Sequence, residues 1–159
     1  MRIFFIFIFI FIWNFAVSAS AQDFNTGLAA YKAGNFSTAL EEWEPLAEEG
    51  NPYAQYNLGI MYDYDLNDYK KAVKWYALSA AQGLNAAQFN LGIMYDYGYG
   101  VSQDFILAYL WFDLAGVNGH DDGFTSRDVI AQKMSEEDIA KAQAVAVKCL
   151  DSHYQDCGY

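Results

Sequence analysis

The segment Ala54-Gln55-Tyr56-Asn57-Leu58-Gly59-Ile60-Met61-Tyr62-Asp63-Tyr64 recurs as Ala87-Gln88-Phe89-Asn90-Leu91-Gly92-Ile93-Met94-Tyr95-Asp96-Tyr97. Ten of the eleven positions are identical, at an offset of 33. Near-identity at a fixed period means that one supersecondary unit is used repeatedly. A second element follows each copy, Ala72-Val73-Lys74-Trp75-Tyr76 and then Ala108-Tyr109-Leu110-Trp111-Phe112, at an offset of 36. The three extra residues fall between the two elements, where Asp63 to Asp68 is matched by the longer, glycine-bearing Asp96 to Asp104. Glycines and acids there mark a turn.

Both elements have helical spacing. Ala54, Leu58 and Tyr62 lie at i, i+4 and i+8, and Ala72, Trp75, Tyr76 and Ser79 form a second stripe. Gly59 and Gly92 would each cost a helix about 1 kcal/mol against alanine. Their recurrence predicts a close approach of the partner helix. Two helices per unit, repeated, predict an all-α chain, a short α-solenoid in which stacked hairpins share a core that no single hairpin can build. Gly27 to Leu40 reads as a weaker first copy, with its second helix continued by Trp43, Leu46 and Ala47. Trp43, Trp75 and Trp111 are expected in equivalent places, each followed three residues on by Leu46, Leu78 or Leu114. Thr125 to Lys133 and Ser135 to about Asp151 read as two further helices, the second opened by a capping-box-like Ser135-Glu136-Glu137-Asp138. They suit a terminal cap.

At these residues the chain resembles the Sel-one-like repeat family, relatives of the tetratricopeptide repeats. Ala87, Leu91, Gly92, Tyr95, Gly98, Gly100, Val101, Asp104, Ala108 and Trp111 match the family pattern, with Phe112 in place of a tyrosine. Ala54, Leu58, Gly59, Tyr62, Ala72, Trp75, Tyr76, Ala80, Ala81 and Gly83 match it in the neighbouring copy, which lacks the Gly-x-Gly-Val turn. The resemblance implies a protein-binding or adaptor module, often exported in bacteria. Its motif residues are scaffolding and say little about activity.

Met1-Arg2, the apolar run Ile3 to Trp13 and the small residues ending in Ala19-Ser20-Ala21 follow the order of a signal peptide, with cleavage expected before Gln22, or before Ser20 if Val17-Ser18-Ala19 is the site. A spanning helix needs about 20 apolar residues, and Asn14 interrupts this run. No membrane span is therefore expected after cleavage, and the chain is expected in the periplasm or secreted. Removing residues 1–21 takes one arginine and no acid, leaving 8 basic and 20 acidic residues and a net charge of −12. Such a surface argues against nucleic acid as a partner, because a phosphate backbone needs basic residues. Cys149 and Cys157 are the only cysteines. In an oxidising compartment they are expected to pair.

Asp63-x-Asp65-x-Asn67 imitates a calcium loop, but Asp68 replaces the required glycine and Lys74 the bidentate glutamate. His120 and His153 are the only histidines and belong to no zinc motif. No cofactor or metal is expected, and no catalytic residue is assigned. If tetratricopeptide geometry holds, the first helix of each hairpin lines the concave side. Tyr53, Tyr56, Ile60, Asp63 and Tyr64 then form one row and Phe89, Ile93, Asp96 and Tyr97 the next. Aromatics beside acids suit a protein or peptide carrying a basic residue. Two rival readings stand: a peptidoglycan- or glycan-binding module, with the aromatics stacking on sugars, and a cell-wall hydrolase or β-lactam-binding enzyme. The expected units are a signal peptide at 1–21, a tetratricopeptide-like hairpin at 22–52, repeats at 53–85 and 86–120, and a helical cap with a disulfide at 121–159.

Overall fold

The computed structural model describes residues 23–157 of the chain. The expected signal peptide, residues 1–21, lies outside the described residues. Eight α-helices run in order among them: α1 (Phe24–Lys32), α2 (Phe36–Glu48), α3 (Pro52–Ile60), α4 (Tyr69–Ala80), α5 (Asn85–Tyr97), α6 (Phe105–Val117), α7 (Gly123–Ala131) and α8 (Glu136–Asp151). A π-turn, Met61–Asp65, prolongs α3. No strand occurs among the described residues, so the all-α expectation holds. No helix among them is long and apolar enough to cross a membrane.

Side-chain caps set several of the helix starts. Asn35, Asn51, Asp68, Asp104 and Ser135 each accept a backbone N–H from the first turn that follows. An N-terminal turn has no intrahelical acceptor for those donors, so a short polar side chain fixes where the helix begins. Between α5 and α6 the chain turns through Gly98 and Gly100, both at positive φ. A Cβ at Gly100 would also strike the Tyr69 carbonyl, so a side chain is excluded there twice over.

From α1 to α6 each helix packs on the next, and α6 carries both α7 and α8. One core runs through the whole stack, from Ala39 and Trp43 through Leu58, Tyr76, Leu91 and Trp111 to Ala146 and Cys149. Small residues set the spacing inside each hairpin. A Cβ at Gly27 would overlap the Trp43 ring, one at Gly59 the Tyr76 ring, and one at Gly92 the Phe112 ring. The recurring glycines thus seat an aromatic ring on the partner helix rather than its backbone.

That contact corrects the expected tryptophan alignment. Ala39, Ala72 and Ala108 are all fully buried, and Trp43, Tyr76 and Phe112 each stand four residues beyond them. Trp43 is therefore the counterpart of Tyr76 and Phe112, not of Trp75 and Trp111.

A polar device joins successive units. Gln55 and Gln88, from the repeated Ala-Gln pair, are buried. Gln55 donates to the Ala47 carbonyl at 2.9 Å and Gln88 to the Ala80 carbonyl at 3.1 Å, each reaching back to the end of the preceding helix. Their side-chain oxygens accept from Gln82 at 2.7 Å and Asn118 at 2.8 Å. The Ala47 and Ala80 carbonyls also accept from the Gly50 and Gly83 backbone N–H groups, so each glutamine adds a second, buried bond that ties one hairpin to the next. At the C-terminal end the Cys149–Cys157 disulfide is formed. It holds a tail whose Tyr154 hydroxyl bonds Asn118 at 2.8 Å, extending the same network.

Candidate functional site

The four second-repeat residues of the expected row meet in one place. Phe89, Ile93, Asp96 and Tyr97 of α5 form one wall of a cleft of about 290 Å³, with Phe112 of α6 behind them. Thr125, Ser126, Val129 and Ile130 of α7 form the opposite wall. Sequence reasoning placed α7 in a cap and missed its part in the cleft, because no repeat exists there to align.

Glycine again allows the approach. Gly116 of α6 receives the Phe124 ring, and Gly123 lies against the Gly116 backbone. Two ion pairs hold α7 in place. Arg127 donates to Asp113 at 2.7 Å and lies over the Phe124 ring. Lys133, in the turn after α7, donates to Asp96 at 3.1 Å. Asp96 is itself buried, so the charge expected to face a partner is compensated within the chain. His120 stacks on Phe89 at 4.0 Å beside the cleft.

The first-repeat row is arranged differently. Tyr53 and Tyr64 are exposed, while Tyr56, Ile60 and Asp63 are half-buried. Tyr56 lies against Tyr76 with ring centroids 6.1 Å apart, and both hydroxyls engage Asn90 of α5. The Tyr76 hydroxyl donates to Asp63 at 3.3 Å. Burial raises the Asp63 carboxyl above its ordinary value, although the Tyr76 hydrogen bond opposes this. Burial, followed by the Asp63 charge, pushes the Tyr76 phenol well above the usual range. Asn90 therefore links this patch to α5, and Ile93 and Tyr97 continue along that helix into the cleft.

The residues that imitate a calcium loop are engaged separately, Asp63 by Tyr76 and Asp65 by the Tyr31 hydroxyl at 2.9 Å. Among the described residues no group of three or more His, Cys, Asp or Glu side chains is placed to hold a metal. Next to the cleft, Tyr97, Tyr99 and Tyr69 form an exposed stack, with centroids 5.5 and 5.2 Å apart.

Stacked helical hairpins joined by a repeated amide clamp define the class: a repeat scaffold of the tetratricopeptide-like kind. The Sel1 repeat family matches residues 52–84 and 85–120, so the chain carries two Sel1 repeats. Its structure is similar to that of c5321, a protective antigen present in uropathogenic Escherichia coli strains and displaying an SLR fold, with a TM-score of 0.76 and 28% identity. That likeness covers 84% of this chain but 30% of the other. No curated protein matches the sequence.

Proposed function

We propose that this is an exported binding scaffold that takes a protein or peptide along the first-helix, concave face of its repeats and performs no catalysis. The observation that carries the reading is the convergence of Phe89, Ile93 and Tyr97 on a cleft that α7 closes from the other side. A cleft of about 290 Å³ with apolar walls suits one bulky side chain of a partner. Extended chain on either side of that anchor would then lie across the two rows. Export to the periplasm or medium is supported by the order of residues 1–21 and by the Cys149–Cys157 disulfide, which suits an oxidising compartment.

A second reading, a glycan-binding module, has one observation in its favour. The exposed Tyr69, Tyr97 and Tyr99 rings could carry sugar faces. One comparison separates the two. Crosslinked pull-down from the native envelope is run with the unaltered protein and with Val129→Asp, whose side chain is exposed on the cleft wall and can change without disturbing the core. Loss of a specific protein partner supports the peptide reading. Unchanged recovery of that partner rules out the cleft, and retention on isolated cell wall with no protein partner supports the glycan reading.

A further inference from the structure

Asp63 and Asp96 are the same residue of two successive repeats, 33 positions apart. The second one displays its complement. The Lys133 ammonium pairs with Asp96 at 3.1 Å and lies over the Phe105 ring, 5.4 Å from its centroid. That lysine comes from outside the repeat, in the turn between α7 and α8. The cap packs on α6 and supplies no such lysine to the first repeat. Asp63 has no lysine or arginine within ion-pair distance among the described residues. Lys71 pairs with Asp68 and lies over Tyr62, and Lys74 lies over Trp75.

Asp63 is compensated in a different way. Its Oδ2 accepts from the Tyr76 hydroxyl. Phe112, which stands where Tyr76 does, has no hydroxyl to offer Asp96. The hydroxyl is thus present where the lysine is missing. It satisfies one oxygen but brings no positive charge, and the carboxyl stays half-buried against Tyr76, whose ring in turn lies against Tyr56. Aromatic faces next to a carboxylate suit an ammonium or guanidinium, by the pairing and ring contact already seen at Lys133. The backbone sets this place apart as well. Asp63 sits in the π-turn Met61–Asp65, whereas the near-identical residues around Asp96 remain regular α-helix. π-Turns are frequent at functional positions.

We infer that the first-repeat end of the groove receives a lysine or arginine side chain of the partner on Asp63, while the partner's bulky apolar residue fills the α5–α7 cleft. This rests on the peptide-binding reading above and adds the chemistry of the peptide to it. A chain with a net charge of −11 favours such a partner at a distance as well as in contact. An extended chain covers about 3.3 Å per residue. The basic and apolar residues of the partner should therefore fall within a few positions of each other.

The test begins with a phage-displayed library of random dodecapeptides selected on the purified protein, followed by fluorescence-polarisation titration of the enriched sequences. The expected consensus pairs a Lys or Arg with an aromatic or large aliphatic residue two to four positions away. Asp63→Asn should weaken such a peptide by about 5- to 10-fold. Exchange of the peptide's basic residue for Gln should cost the same, and the two changes together should cost no more than either alone. Val129→Asp should abolish binding of both peptides. If Val129→Asp abolishes binding while Asp63→Asn leaves it unchanged, the cleft stands and the cation site is wrong. A library that yields no binder, or binders indifferent to Val129→Asp, overturns the peptide reading and this inference with it.

Discussion

Replacing Gln88 with leucine changes shape little but removes the amide clamp between the two Sel1 repeats. The fully buried amide donates to the Ala80 carbonyl and accepts from the Asn118 side chain. Leucine removes that bond, but the carbonyl keeps the Gly83 N–H, so the loss is that of one net hydrogen bond, about 1 kcal/mol. The Asn118 amide keeps a second partner in Tyr154, so its share is smaller. The sum is about 1–2 kcal/mol. With a urea m-value of roughly 2 kcal/mol per molar, the unfolding midpoint followed by circular dichroism should fall by about 0.5–1 M. Gln82→Ala is the control, since it removes a donor to Gln55 from an exposed side chain and should cost under about 1 kcal/mol. Hydrogen exchange should place the loosening at the α4–α5 joint, because stability in a stacked repeat depends on each interface. A loss no larger than that of Gln82→Ala would refute the view that this glutamine holds the repeats in register.

Gly59→Ala and Gly92→Ala should each lower stability by about 1–2 kcal/mol in thermal melts, because overpacking against the Tyr76 or Phe112 ring outweighs the gain in helix propensity. Reducing the Cys149–Cys157 disulfide should cost about 2 kcal/mol, low for a disulfide because the loop is short; melts with and without reductant check this, and Cys157→Ser should abolish the difference. Burial raises the folded-state pKa of Asp63 above its unfolded value, so the folded chain holds this proton more tightly. Its contribution to stability is then present below the unfolded pKa and lost as pH rises through the folded one. Asp63→Asn should remove that slope from urea midpoints measured across the acid range, leaving the variant no less stable at neutral pH.

The hairpins were legible because the repeat supplies its own alignment. Ala54, Leu58 and Tyr62 form the buried stripe that their spacing implies, and Gly59 and Gly92 mark close contacts. The tryptophan register was misread because residue type was matched in place of position. The glycine contact, which decides equivalence, puts Trp43 with Tyr76. Two features had no signal in a linear reading. Near-identical residues around Asp63 and Asp96 adopt different backbones because different turns follow them. Lys133 reaches Asp96 from 37 residues away, which only the packing of α7 explains. The α7 wall was missed for the same reason: Val129 and Ile130 belong to no repeat, and their place across from Phe89 and Ile93 depends on the Gly116–Gly123 approach.

The most direct test of the binding account is site-specific photocrosslinking in the native envelope. A photoreactive residue is placed at Val129 on the cleft wall, or at Val147, exposed on α8. The account predicts one discrete protein adduct from position 129, competed away by a peptide that combines a basic and an apolar residue, and none from position 147. An adduct with the same protein from position 147 alone would contradict it.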